Sequence, residues 1–264
     1  MAGFRRVVYG YYARHGRDLP WRRTREPYRI LVSEMMLQQT QVSRVLGKYA
    51  AFLRRFPTIR SLAGAPLRDI LQAWQGLGYN RRALSLKRTA EALVRDHNGR
   101  VPCDRQVLEK LPGIGQSTSG AVCAFAFNQP VIFIETNIRS VFLHHFFHGQ
   151  DTVSDEQLIP HIAKTLDTKN PRKWYSALMD YGVYIKESTA NPSRRSLHYR
   201  TQSRFEGSGR QVRGMILRLL LRGGRMHQDQ LLRRIKAPRR QVTQMLDSLH
   251  KEGLVKRAGS FLRL

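Results

Sequence analysis

Apolar residues recur at helical spacing along most of this chain, and that rhythm predicts a helical protein. Phe4 to His15 reads as a first helix. Pro27 to Tyr49 reads as one long helix, with Ile30, Leu31, Met35, Leu37, Val42, Val45 and Leu46 on its apolar positions. Further helices are expected at Ala50 to Phe56, Pro66 to Gln75 and Arg81 to Asn98, with Gly76-Leu77-Gly78-Tyr79 as the turn between the last two. Asp104 to Lys110 and Ser117 to Phe127 flank a tight turn, Leu111-Pro112-Gly113-Ile114-Gly115-Gln116. Pro112 cannot continue the first of these helices, and the glycines permit positive φ. Ser117 or Thr118 is the expected cap of the second. Val131 to Ile134 is an apolar run ending in Glu135-Thr136-Asn137. Its periodicity fits a strand, but among so many helices it reads as an extended lead into a helix from Ile138 to Phe147. Glu156 to Leu166 and Lys173 to Lys186 complete an all-helical body.

Thr189 to Gly209 breaks the rhythm with Asn-Pro-Ser-Arg-Arg-Ser and a Gly-Ser-Gly stretch, a composition that marks a linker. Its arginines and Tyr199 are candidates to lie along DNA. Beyond it the pattern gives helices at Gln211 to Leu221, Gln228 to Ile235 and Pro238 to Glu252, then a short hairpin through Leu264. Three helices and a hairpin make a winged-helix arrangement, whose third helix offers Arg239, Arg240 and Gln244 to a groove. A winged helix that docks protein would show the same pattern. The chain therefore divides into a body at 1–188, a basic linker at 189–210 and a winged-helix-like domain at 211–264.

Charge narrows the partner. Lysines and arginines number 46 against 19 acids, a net +27, and from Glu187 onward 18 basic residues face 5 acidic ones. Such a surplus points to a polyanion, nucleic acid before acidic lipid. No apolar run reaches the roughly 18 residues of a membrane span, and residues 1–12 carry no secretion signal, so a cytoplasmic, nucleoid-associated protein is expected. Cys103 and Cys123 form neither a disulfide framework nor a zinc pattern, and are expected to be buried or half-buried thiols. His144, His145 and His148 lie close together without an acid or cysteine to complete a metal site; packing with solvent-facing rings is the expectation.

The candidate chemistry sits in a few residues. Glu34 stands among apolar side chains, followed by Gln38, Gln39 and Gln41. The Pro112–Gln116 turn aims backbone amides outward at a helix N-terminus, a seat for phosphate. Together with Leu19-Pro20-Trp21, Ser33-Glu34-Met35-Met36-Leu37-Gln38-Gln39-Thr40-Gln41-Val42, Gly76-Leu77-Gly78-Tyr79 and Met179-Asp180-Tyr181-Gly182, these motifs run in one order over about residues 17–185. In that set the chain resembles the helix-hairpin-helix DNA glycosylases, and within them the MutY-type adenine glycosylases.

The resemblance implies an all-α fold: a helix-hairpin-helix glycosylase body of two helical subdomains, followed here by the small winged-helix-like domain. It implies that Glu34 protonates a flipped base as leaving group and helps activate water, while a second carboxylate steadies an oxocarbenium-like state. The base is flipped because its bond is inaccessible in the stack. Arg17, Leu19, Trp21 and Arg22 would line the base pocket, with Asp180 near the base's exocyclic edge. Gln38, Gln39 and Tyr79 would meet DNA at the gap left in the duplex. Pro112, Gly113, Ile114, Gly115, Gln116, Thr118 and Asn137 would contact the backbone around the lesion.

Four departures qualify it. The family's catalytic aspartate is Glu135 here, one methylene longer. Ser117 stands where bifunctional relatives carry a Schiff-base lysine, so base removal without strong lyase activity is expected. The family's iron–sulfur cluster needs four cysteines after the Met-Asp-Tyr-Gly segment, and no cysteine follows Cys123, so no cluster is expected. A cation held by hairpin carbonyls leaves no side-chain signature and stays open. The usual 8-oxoguanine-recognition domain is replaced by the winged helix, which leaves the substrate among adenine opposite 8-oxoguanine or guanine, and another mispaired base such as thymine or uracil. The expected partner is duplex DNA with a mispaired base, bound by a monomer with no membrane. A glycosylase-derived protein that binds mismatches without cutting is the competing reading.

Overall fold

The computed structural model describes residues 2–264, and the fold is all-α apart from three short strands. In chain order the helices are α1 (Ala2–His15), α2 (Pro27–Leu37), α3 (Val42–Arg55), α4 (Ile59–Gly64), α5 (Leu67–Trp74), α6 (Arg81–Asp96), α7 (Arg105–Glu109), α8 (Gln116–Phe127), α9 (Thr136–Phe146), α10 (Asp155–Thr165) and α11 (Pro171–Ser188). Then come α12 (Gly209–Gly223), β1 (Met226–His227), α13 (Gln228–Arg234), α14 (Arg239–Glu252), β2 (Lys256–Ala258) and β3 (Phe261–Arg263). Contacts gather these into two units that interleave along the chain: residues 1–35 with 101–201, and residues 36–100 with 202–264.

The first unit packs around Phe142, Trp174, Tyr175, Leu178 and Ile138, all buried, with Val8 of α1 and Ile30 of α2 against them. α11 is its axis. Gly182 lets α11 press on the start of α9, since a Cβ there would stand 2.4 Å from the Asn137 carbonyl oxygen. Residues 191–197, read from composition as linker, are tied into this unit. Ser193 Oγ meets Ser140 Oγ at 2.6 Å, Arg195 donates to the Leu143 carbonyl at 2.9 Å, and Val153 donates its backbone N–H to Arg195 O and accepts from Leu197 N–H. Small polar residues anchored by hydrogen bonds leave no apolar signature in the sequence.

The second unit departs from expectation at its start. The helix anticipated from Pro27 to Tyr49 breaks after Leu37, where Gln39 takes φ +52° and Gln41 is extended. Arg82 explains the break. Its guanidinium donates to Met36 O at 2.8 Å and Thr40 Oγ1 at 2.8 Å, and also to Leu77 O and Gly78 O at 3.3 and 3.2 Å. One cation therefore binds the end of α2 to the Gly76–Tyr79 turn, where Tyr79 is left-handed at φ +45°. α4 was not anticipated; Thr58 and Ser61 close it with a capping box. The three C-terminal helices and the hairpin are present, and a strand not read from the sequence, β1, joins them: β3 lies between β1 and β2 in an antiparallel sheet, with Leu262 paired to Met226, both buried.

Gly182→Ala places a methyl against main chain that cannot yield. We expect a loss of about 1–3 kcal/mol of unfolding free energy, read by urea denaturation.

Candidate active site

Three pieces of the first unit converge on one place. The segment after α1 supplies Arg17 and the 3₁₀ turn Pro20–Arg22, α2 supplies Glu34, and the start of α9 supplies Glu135. α11 organises them through Asp180, whose side chain is 1% exposed. Its Oδ2 accepts from the Arg17 backbone N–H at 2.8 Å and Arg22 Nη1 at 2.7 Å; its Oδ1 accepts from Arg17 Nε at 2.6 Å and Arg22 Nη2 at 2.8 Å. Burial would raise this carboxyl, but the hydrogen bonds and charges of Arg22 and Arg17 outweigh it and hold it below the usual carboxylate range. Asp180, expected at the edge of the base, has both oxygens occupied by arginine. It clamps Arg17 and Arg22. Leu19 and Trp21, between those arginines, are buried at 5% and 7% exposure.

Glu34 and Glu135 occupy contrasting surroundings. Burial pushes the Glu34 carboxyl up to about 8, the negative charge of Glu135 adds to the rise, and Arg22 pulls the other way. Glu135 is the N-cap of α9. Its Oε1 accepts from the backbone N–H groups of Asn137 and Ile138, both at 2.8 Å, and its Oε2 from Asn137 Nδ2 at 3.1 Å. Burial raises Glu135 too; those N–H groups and the charges of Lys186 and Arg139 oppose the rise. Glu135 is raised on balance, yet three N–H donors favour its ionised form, while burial of Glu34 favours its acid form. The extra methylene of glutamate is absorbed by folding the side chain back onto its own helix.

Two residues near this pair carried no signal of their role in the sequence. Asn137, expected against DNA, is turned inward: its amide donates to Glu135, and its Oδ1 is buried without a partner. Lys186 lies one turn beyond Gly182 on α11, partly buried. Burial lowers its pKa, Arg17 adds to the drop, and Glu135 and Glu187 oppose it.

The hairpin lies in the same unit. Asp104 Oδ1 caps α7 through the Gln106 and Val107 N–H groups. Leu111 and Ile114 anchor the turn, Gly113 is at φ +78°, and Gly113, Gly115, Gln116 and Ser117 are exposed, with Pro112 partly so. α8 starts at Gln116 with Gly115 as its N-cap and no side-chain cap, where Ser117 or Thr118 was expected to cap. Thr118 is buried, which takes it off the surface assigned to it. Gln39 and Tyr79 belong to the second unit, Gln39 exposed and Gln38 partly buried, and Arg239 and Arg240 are exposed on α14.

The thiols differ from expectation: Cys123 is buried but Cys103 is exposed. His145 is half-buried, with Nε2 3.0 Å from the Tyr181 hydroxyl, rather than solvent-facing. Among the described residues no group of three or more His, Cys, Asp or Glu could hold a metal. A four-thiolate cluster does not fit the region after Gly182, where Lys186, Ser193 and Ser196 stand and Ser193 is bonded to Ser140.

Known proteins give this geometry a family. Residues 32–165, half of the chain, match the HhH-GPD superfamily base excision DNA repair protein. An adenine DNA glycosylase of Buchnera aphidicola subsp. Baizongia pistaciae is 37% identical over 187 residues, covering 69% of this chain and 52% of its own length. An adenine DNA glycosylase of Mycolicibacterium smegmatis is 37% identical over 224 residues, covering 77% of this chain and 75% of its own. The chain spans about half the length, or less, of several other curated relatives that it matches. A thermostable thymine-DNA glycosylase of known structure superimposes with a TM-score of 0.60 at 26% identity, over 69% of this chain and 87% of that one. The chain belongs to the HhH-GPD superfamily of base excision DNA repair proteins.

Proposed function

We propose that this protein is a DNA N-glycosylase that flips a mispaired base out of duplex DNA and hydrolyses its glycosidic bond, with adenine opposite 8-oxoguanine or guanine as substrate. The observation that carries the reading is the unequal acid pair. Glu34 holds a proton near neutral pH and can deliver it to the leaving base, while Glu135, fed by three N–H groups, stays negative beside the cation that develops at the sugar. A protein that only binds DNA gains nothing from a carboxyl held in an apolar setting at a pKa of about 8. The names of the relatives favour adenine as the base, and the superimposable thymine-DNA glycosylase keeps thymine opposite guanine as the comparison to run.

In this reading Arg17, Arg22, Leu19 and Trp21 shape the pocket. The exposed hairpin amides take a phosphate, as a sequence-independent grip. Gln39 and Tyr79 enter the duplex. The exposed Arg194, His198 and Arg200 of the anchored 191–200 segment add backbone contacts. The chemistry needs no redox cofactor, and with Ser117 in place of an amine it stops at the abasic site. No helix among the described residues is long and apolar enough to cross a membrane.

The test is single-turnover cleavage of labelled duplexes carrying adenine opposite 8-oxoguanine, guanine or thymine, and thymine or uracil opposite guanine, each with and without alkali. Strand breaks confined to one adenine mispair and requiring alkali are expected. Binding without release from any duplex would leave a mismatch binder.

Two variants extend it. Because the acid form of Glu34 is the working one, the rate should fall as pH rises through about 8, and Glu34→Gln should abolish release while leaving mismatch affinity intact. The same substitution has a stability signature. A carboxyl raised from 4.5 to about 8 binds its proton more tightly when folded, so the wild type loses stability as pH climbs through that window. Glu34→Gln is spared that loss, and its Tm should exceed the wild type's at pH 8 and converge with it near pH 4.5. Glu135→Gln should slow single-turnover release by about 10²- to 10³-fold. A change of about 1 kcal/mol in stability with the rate untouched would make Glu135 a helix cap alone.

A further inference from the structure

The winged-helix elements are held in their unit at both ends of α12 and at the C-terminal end of α14. Arg68 of α5 donates to the Leu221 carbonyl in the last turn of α12 at 2.9 Å, and Arg88 of α6 donates to the Glu252 carbonyl at the end of α14 at 3.4 Å. Cations on the C-terminal ends of two helices are a favourable dipole match. Arg213 of α12 ties the same end inward, pairing with Glu252 and Ser248 of α14. The C-terminal halves of α12 and α14 are therefore committed to the protein.

The N-terminal half of α14 is tied to its own domain by Gln241 Nε2, which donates to the Gly207 carbonyl at 2.8 Å, and leaves one side open. Val242 and Leu246 are buried, while Arg240 and Gln244 are exposed on the opposite side and Arg239 is exposed at the first position of the helix. Arg233, Arg234 and Lys236, all exposed, lead into it. One acid, Asp229, approaches this strip, 3.6 Å from an Arg239 guanidinium that remains 78% exposed. The strip keeps a net basic surface on a helix of 14 residues, about 21 Å long. The major groove of B-DNA, about 12 Å wide, accepts such a helix. At the other end of this domain, Arg210 in the first turn of α12 lies 3.3 Å from the Tyr79 hydroxyl, which also accepts from Gln202. The basic strip thus belongs to the same compact unit as the Tyr79 turn.

We propose that the N-terminal half of α14 is a second duplex-binding site, lying in a major groove outside the base pocket and lengthening the DNA footprint. This rests on duplex DNA being the substrate. The site grips phosphates through Arg239 and Arg240, so it raises affinity and leaves the chemical step alone.

The test compares the full chain with its Arg239→Glu/Arg240→Glu variant on duplexes with a central mispair. One duplex carries about one helical turn (~10 bp) on each side and the other about three. The variant should bind the long duplex on the order of 10- to 100-fold more weakly at low salt. Its log–log salt slope should be shallower by about 2, roughly 0.9 per phosphate contact. Its affinity for the short duplex and its single-turnover base release at saturating enzyme should match the wild type. Arg239→Lys/Arg240→Lys should restore the long-duplex advantage. Equal wild-type affinity for the two lengths, or no loss in the variant, would overturn the proposal and assign the strip to a protein partner. An equal loss on both lengths would overturn it as well, by making the effect general electrostatics. Failure of the enzymatic reading would show separately, as absence of base release from any duplex while the length dependence of binding persists.

Discussion

A carboxylate excluded from water is tolerated only when its charge is answered, and Asp180 is answered twice. Arg17 and Arg22 fill both of its oxygens with side-chain and main-chain donors. Removing one partner from a buried pair of this kind leaves a stranded charge, at about 3–5 kcal/mol. The pairing fixes more than local stability. It draws the segment between α1 and α2 onto α11, buries Leu19 and Trp21, and sets a guanidinium within electrostatic reach of Glu34. The surroundings of Glu34 thus depend on a carboxylate that is itself fully engaged by two arginines.

From that constraint the two glutamates are made unlike. Glu34 has apolar neighbours on its helix and a like charge nearby, so it keeps its proton. Glu135 sits at a helix N-terminus, where main-chain N–H groups and the macrodipole favour an anion. Identical side chains acquire opposite roles through their surroundings. The longer side chain at position 135 carries out helix capping and charge placement with the same oxygens, which couples the order of α9 to the electrostatics of the pocket.

Much of this was legible in the chain and some was not, for identifiable reasons. The helices with an amphipathic stripe, and the acid among apolar residues at Glu34, follow from spacing. The break at Gln39 does not, because apolar positions keep helical phase across it and the cause, Arg82, lies more than forty residues away. Thr118 was misplaced because α8 is buried almost all round and presents no polar face to orient it. The role of Asp180 needed partners 158 and 163 residues distant. The 191–197 segment is composed like a linker and held like a core element, since its buried residues are proline and serines.

The interleaving of the two units bears on how the chain reaches this state during synthesis. One unit contains residues 1–35 and 101–201, the other residues 36–100 and 202–264. Chains emerge N-terminus first and fold unit by unit. The unit bearing Glu34, Glu135 and the hairpin therefore has all its residues available while the other still lacks α12 to α14. Helices α3 to α6 must wait, with Arg68 and Arg88 lacking their carbonyl partners, until the last quarter of the chain arrives. The unit with the two buried glutamates can mature first, and the unit that docks the winged helix is completed last.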